Sequence, residues 1–210
     1  MTCCNLKSAK DYFDDAAKLE EKQKYKEAIQ LLDKAISKDS KFLGAYINRG
    51  ADKSVLGDYK GAIADYEKVI SLDSKNTLAF FNIGNNYKRL ENYNTAVGFY
   101  NKAFETKGGE TIYLDLKPND FIDLSKFDVP GHEIYFERGI ALYYLDSILK
   151  SYRDFRNCIN KNYMVADCHY WIGLIYIATG QKQLACESLN KAKLLGDKDA
   201  EEEIKKYCAD

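Results

Sequence analysis

The sequence predicts an all-α fold: five helix–turn–helix hairpins stacked side by side into a solenoid, with a capping helix at the C-terminus and one loop inserted between the third and fourth hairpins. Three observations lead there. Small residues recur at a period of 34 positions, the spacing of a helical-hairpin repeat. Bulky apolar residues recur in fixed register with them. The strongest helix breaker is confined to Pro118 and Pro130, which leaves the rest of the 210-residue chain free to be helical.

A frame set at Ala9 gives repeats 1 to 3 as 9–42, 43–76 and 77–110, and repeats 4 and 5 as 132–165 and 166–199. Residues 1–8 precede the frame, 111–131 interrupt it, and 200–210 follow it. Column 8 holds Ala16, Gly50, Gly84, Gly139 and Gly173; column 20 holds Ala28, Ala62, Ala96, Ser151 and Ala185. Column 24 holds Leu32, Tyr66, Tyr100, Phe155 and Leu189, and column 27 holds Ala35, Val69, Ala103, Cys158 and Ala192. Column 4 holds Tyr12, Tyr46, Phe80, Tyr135 and His169.

Columns 4, 8 and 11 share one face of a first helix, and columns 20, 24 and 27 one face of a second. Small residues at columns 8 and 20 let the two helices approach, and the bulky residues fill the space beside them. Leu56 to Tyr59, Leu90 to Tyr93 and Thr179 to Lys182 read as the polar turns between helices, two of them with Gly where a helix ends. Each hairpin keeps an apolar side that only a neighbour can cover, so stacking follows. At the end of the frame, Asp199 with Glu202 three places on reads as a helix start capped by Asp199. Ala200, Ile204 and Tyr207 then form an apolar stripe that covers repeat 5.

The runs Ala45 to Gly50, Asp58 to Ile70 and Phe80 to Tyr87 resemble the tetratricopeptide repeat, and the resemblance covers 9–110 and 132–199, about four-fifths of the chain. It implies a right-handed superhelix and a non-catalytic scaffold that binds a protein or an extended peptide in its concave groove. The chain departs from the family at the column that usually carries proline, where Ser40, Ser74, Gly108, Tyr163 and Asp197 stand.

Projected on the frame, the family's groove is lined here by Asn48, Phe81, Asn82, Asn85 and Arg89, and in repeats 4 and 5 by Phe136, Tyr143, Tyr170 and Trp171. Asn48 and Asn82 share a column, and an Asn amide both donates to and accepts from a peptide backbone. The four aromatic residues, with Tyr144, form a strip of the kind that anchors partners, although such a strip at helical spacing is also what a core contains. The clamp with which relatives grip acidic chaperone tails is missing. Its positions fall on Phe13, Ala17, Asn48, Leu78 and Asn82, or one repeat later on Ile47, Ala51, Asn82, Glu133 and Glu137. No cation stands there, and the two glutamates repel an acidic tail.

In the insertion, Ile112, Leu114 and Leu116 alternate with polar neighbours as in a strand, and Pro118 to Asp120 reads as a turn. Phe121, Ile122, Leu124, Phe127 and Val129 carry more apolar surface than a solvated linker. The segment is therefore expected to pack on the solenoid. If it enters the groove, the chain becomes a structural or assembly subunit whose groove is filled by its own residues.

Net charge is −1, from 31 basic and 32 acidic residues, which gives no drive toward nucleic acid. No run reaches the length of a membrane span, and residues 1–10 lack the apolar core of a secretory signal. Of six cysteines, Cys158, Cys168 and Cys186 fall at helical positions suited to small apolar side chains, so free thiols and a cytoplasmic location are expected. The alternative is a bacterial cell-envelope lipoprotein, acylated at Cys3 or Cys4, if the gene starts upstream of Met1; only then is a membrane a partner. No phosphate loop, zinc-protease, serine-hydrolase or EF-hand spacing occurs. Asp115, Asp120, Asp123 and Asp128 lack the order of a calcium loop, and Cys158, Cys168, Cys186 and His169 occupy ordinary packing columns rather than a zinc site. No catalytic residue, metal or cofactor is expected.

Overall fold

The computed structural model describes residues 7–106 and 129–208. They form eleven helices: α1 (Ala9–Glu20), α2 (Tyr25–Lys38), α3 (Leu43–Val55), α4 (Tyr59–Leu72), α5 (Thr77–Arg89), α6 (Tyr93–Thr106), α7 (Gly131–Tyr144), α8 (Ile148–Asn160), α9 (Val165–Ala178), α10 (Lys182–Leu194) and α11 (Ala200–Tyr207). The fold is all-α, built from tetratricopeptide-like hairpins. Contacts divide the chain into two compact units, one of Met1–Asn92 with Gly98–Val129, the other of Tyr93–Val97 with Pro130–Asp210. The expected strand and turn at 112–120, the apolar residues up to Phe127, and Cys3 and Cys4 lie outside the described residues.

In the first unit, α1 pairs with α2 and α3 with α4, and α2 packs on α3 and α4 on α5. The small-residue columns are where the paired helices meet. A β-carbon on Gly50 would lie 2.9 Å from the Tyr66 ring, and one on Gly84 2.7 Å from the Tyr100 ring. Ala16, Ala28 and Ala62 are fully buried, as are Leu32 and Tyr100 of column 24.

The second unit repeats this chemistry with α7 on α8, α9 on α10, and α8 on α9. Gly173 faces Leu189 at 2.7 Å and Gly139 faces Phe155 at 3.0 Å. Ser151 is tolerated in its small-residue column because its buried hydroxyl donates to the Gly139 carbonyl at 2.8 Å. The departure from alanine is thus hydrogen-bonded rather than orphaned.

All five hairpin turns close in the same way. The residue at column 15 takes a left-handed conformation: Gln23, Gly57, Glu91, Asp146 and Gly180, with φ of 57°, 84°, 57°, 55° and 73°. The next amide bonds back five residues, from Lys24 to Leu19, Asp58 to Lys53, Asn92 to Tyr87, Ser147 to Leu142 and Gln181 to Tyr176, at 2.8–2.9 Å. This is the Schellman cap, which satisfies carbonyls left open at a helix end. Glycine suits the geometry at 57 and 180, while Gln23, Glu91 and Asp146 each carry a strain of about 1 kcal/mol.

The missing prolines have two substitutes. Asp39 and Asp73 turn the chain by accepting from the amides of Lys41 and Lys75 at 2.9 and 3.1 Å. Asn162 and Gly196 instead take left-handed φ and close further caps, Tyr163 to Cys158 and Asp197 to Ala192.

The C-terminal helix differs from the sequence reading in two respects. Asp199 precedes the helix with helical backbone angles and makes no side-chain capping bond; Asp197 accepts from the Ala200 amide at 2.9 Å instead. The covering stripe is Ala200, Ile204 and Cys208, packed with Leu189, Ala192, Tyr170 and Ile177, so Cys208 stands where Tyr207 was expected. Cys186 is not a free thiol: it is disulfide-bonded to Cys208, with Cα atoms 5.7 Å apart, and ties α11 to α10. Among the described residues, Cys158 and Cys168 are the buried free thiols.

A cross-link that closes a loop of this size stabilises by about 2–4 kcal/mol. Cys208→Ser is expected to lower stability by about that amount, with the loss of amide protection in hydrogen exchange concentrated in α11. The Cys186→Ser, Cys208→Ser double variant should be no less stable than Cys208→Ser alone.

Candidate functional site

The first helices of repeats 2 and 3 frame a polar cleft of about 360 Å³. Ala51, Ser54 and Val55 of α3 form one wall, and Asn82, Asn85, Asn86 and Arg89 of α5 form the other. Tyr59 and Tyr66 of α4 close its floor. Positions 82, 85, 86 and 89 are i, i+3, i+4 and i+7 on one helix, so they project as a single stripe.

Two of these amides hold the cleft together. Asn86 is buried; its Nδ2 donates to the Asn82 carbonyl at 2.7 Å, and its Oδ1 accepts from the Ser54 hydroxyl at 2.7 Å. That bridge fixes α3 against α5. Asn85 Oδ1 accepts from the hydroxyl of buried Tyr100 at 2.8 Å, which locks its rotamer. The Asn82 side-chain amide makes no hydrogen bond among the described residues, and the exposed Arg89 guanidinium has no carboxylate there.

Asn48 behaves differently from Asn82 although it occupies the same column. It is 8% exposed, and its Nδ2 donates to both oxygens of Glu20, at 3.0 and 3.2 Å. One turn on, Asp52 is 3% exposed. Asn48 Oδ1 and Asp52 Oδ2 are buried with no hydrogen-bond partner among the described residues. Burial first, and then repulsion from Glu20, pushes the Asp52 carboxyl up to about 7. Burial also raises Glu20, opposed in part by the Asn48 hydrogen bond. The basic neighbours of Asp52 on α3 do not help, because Arg49 and Lys53 both turn to Asp65 of α4. Arg138 and Asp154 repeat that arrangement in repeat 4, at 2.8 and 2.9 Å.

The aromatic residues expected at a groove surface divide. Phe136 is core, edge-on to Phe155 at 6.1 Å, and Phe81 is core against Tyr100 at 5.9 Å. Trp171 is half-buried and stacks on Phe155 at 5.9 Å, with Tyr143 at 5.3 Å and Tyr170 at 5.9 Å from it. Tyr170 also packs against the capping helix, and burial pushes its phenol up to about 12. Tyr144 alone of this group is well exposed, at 54%. The structure therefore gathers Asn82, Asn85 and Arg89 into one cleft and puts Asn48, Phe81 and Phe136 elsewhere. Ser54, Asn86 and Asp52 were missed because columns 10 and 12 of repeats 2 and 3 carry no signal until their partners on the neighbouring helix are known.

Among the described residues, no group of three or more His, Cys, Asp or Glu side chains is placed to hold a metal ion. No described helix is long and apolar enough to cross a membrane.

Comparison with known proteins agrees with this fold. A family model described as TPR repeat matches residues 56–91, and one described as tetratricopeptide repeat matches 78–108 and 166–203. The fold is similar to that of YrrB, described as a TPR protein with an unusual peptide-binding site, at a TM-score of 0.72 and 23% identity; the alignment covers 96% of this chain and 94% of that one. It is also similar to MamA from Desulfovibrio magneticus RS-1, at a TM-score of 0.74 and 16% identity over 89% of this chain and 94% of that one. A third likeness, to the Cut9–Hcn1 assembly, has a TM-score of 0.65 at 16% identity and covers 34% of the longer chain. No sequence among curated proteins matches significantly.

Asp52 predicts a measurable pH dependence. Its folded value, near 7, lies above the ordinary 3.8, so the folded state binds the extra proton between them. The favourable contribution is complete below about pH 4 and is lost as pH rises through 7. Asp52→Asn should remove that slope in denaturant titrations and leave the protein at least as stable at neutral pH, since an ionised carboxylate without a partner is costly to bury.

Proposed function

The chain is a tetratricopeptide-repeat protein, and on that premise we propose that it is a non-catalytic scaffold that binds an extended peptide or protein segment in the cleft between α3 and α5. The observation that carries this reading is the division of labour among the α5 side chains. Asn85 and Asn86 are held by Tyr100 and Ser54, whereas Asn82 and Arg89, beside them on the same stripe, have their donors free of partners among the described residues. A cleft whose walls are already fixed loses little freedom on binding. Asn82 can donate to and accept from a peptide backbone whatever its side chains are, and Arg89 can grip a carbonyl or a carboxylate.

The cleft falls within the size range of small binding pockets, about 300–1,000 Å³. Its polar lining suits main-chain recognition better than an apolar anchor. The likeness to YrrB, described as having a peptide-binding site, supports a peptide as the kind of partner.

The test is direct. Peptides selected from a display library on the wild-type protein should bind the Asn82→Ala, Arg89→Ala double variant at least about tenfold more weakly. Its unfolding midpoint should barely move, because neither side chain is core. Equal affinity for the two proteins would contradict the reading.

A further inference from the structure

The cleft has a counterpart one repeat junction upstream, and the two junctions are chemically opposite. Between repeats 2 and 3, columns 12 and 10 hold Ser54 and Asn86, which bond to each other and leave both groups satisfied. Between repeats 1 and 2 the same columns hold Glu20 and Asp52, two carboxyls with Asn48 beside them. The backbone geometry repeats while the polar closure does not.

We propose that Glu20, Asn48 and Asp52 form a subsite for the ammonium group of a lysine side chain on the bound peptide. The inference deepens the peptide-binding reading above and rests on it. Its geometric basis is a pair of acceptors, Asn48 Oδ1 and Asp52 Oδ2, buried and without partners among the described residues, on successive turns of one helix face. Native proteins rarely leave such atoms orphaned. Glu20, half-buried at the end of α1, adds a third acceptor and is the member still in contact with solvent.

A compact ammonium with three donors can reach acceptors on three different side chains, whereas a planar guanidinium matches two oxygens of one group. The neighbouring cations of α3 do not fill the place, since Arg49 and Lys53 are held by Asp65. Two carboxyls and one amide oxygen, with no third acidic or histidine ligand, suit an ammonium better than a divalent ion.

Titration follows from this arrangement. The groups facing Asp52 are Glu20 from α1 and the Tyr66 ring from α4, and neither is cationic. An arriving ammonium favours the ionised carboxyl, so affinity should rise with pH through about 7.

The full-length chain can be titrated with a blocked Gly/Ser peptide carrying one central lysine and with the same peptide carrying norleucine. The readout is the NMR signals of the Asn48 and Asn82 side-chain amides and the affinity from each. At about pH 8 the lysine peptide should bind roughly tenfold more tightly, and the advantage should vanish in Asp52→Asn and near pH 5.5. Glu20→Gln, at a more exposed position, should reduce the same advantage and serves as the second variant. Equal affinity for lysine and norleucine, with both shifting Asn82, overturns the subsite and leaves the peptide cleft standing. No shift at Asn82 with either peptide overturns both. Sodium or magnesium alone, or a lysine-free peptide with a free amino terminus, shifting Asn48 as strongly as the lysine peptide overturns the lysine assignment.

Discussion

Helices in this chain pair closely because residues 50, 84, 139 and 173 have no side chain, and an aromatic ring or leucine occupies the space where one would be. A β-carbon added at 50, 84 or 139 would lie 2.7–3.0 Å from the rings of Tyr66, Tyr100 or Phe155, closer than van der Waals contact allows. That contact sets how far apart the two helices of a hairpin sit. Within the first unit it also sets where the first helices face their neighbours, since α2 packs on α3 and α4 on α5. The hydroxyl of Tyr100, whose ring lies against Gly84, reaches Asn85. The packing contact and the cleft side chain are therefore one mechanical element.

The periodic part of this architecture was legible in the sequence because burial selects residue size, and size repeats. Columns 8, 20, 24 and 27 could be read as letters alone. Three turns were legible, at 56–59, 90–93 and 179–182, two of them through Gly57 and Gly180. Gln23 and Asp146 adopt the same cap without advertising it, because the backbone bond that closes each turn imposes a conformation that local propensity does not favour. Polar chemistry was less legible. Asn48 and Asn82 are the same residue in the same column, yet Glu20 claims one and leaves the other, and that choice is made by a side chain twenty-eight positions away. Cys186 and Cys208 carry no motif; only the fold of α11 back onto α10 brings them together. Asp197 displaces Asp199 as the cap because the backbone at Asp199 already takes helical rather than extended angles.

The division has a functional meaning. A repeating scaffold fixes equivalent places at every junction, and non-repeating polar residues make those places different from one another. At one junction Ser54 and Asn86 close on themselves; at the one upstream, Glu20 and Asp52 are two acids with no cation paired to them among the described residues. Specificity in such a fold belongs to the few columns where periodicity is broken by charge, and these are the columns that hydrophobic patterning says least about.

The close helix contact is tested most directly by comparing Gly84→Ala with Gly98→Ala in denaturant unfolding, with the Asn85 side-chain amide followed by NMR. A methyl at 84 meets the fully buried Tyr100 ring at 2.7 Å, while a β-carbon at 98 meets nothing within 4 Å. Gly84→Ala should lose about 1–3 kcal/mol, as overpacking does, and shift the Asn85 signals. Gly98→Ala should be neutral or gain up to about 1 kcal/mol from helix propensity. A Gly84→Ala protein as stable as the wild type, with Asn85 unmoved, would contradict the account.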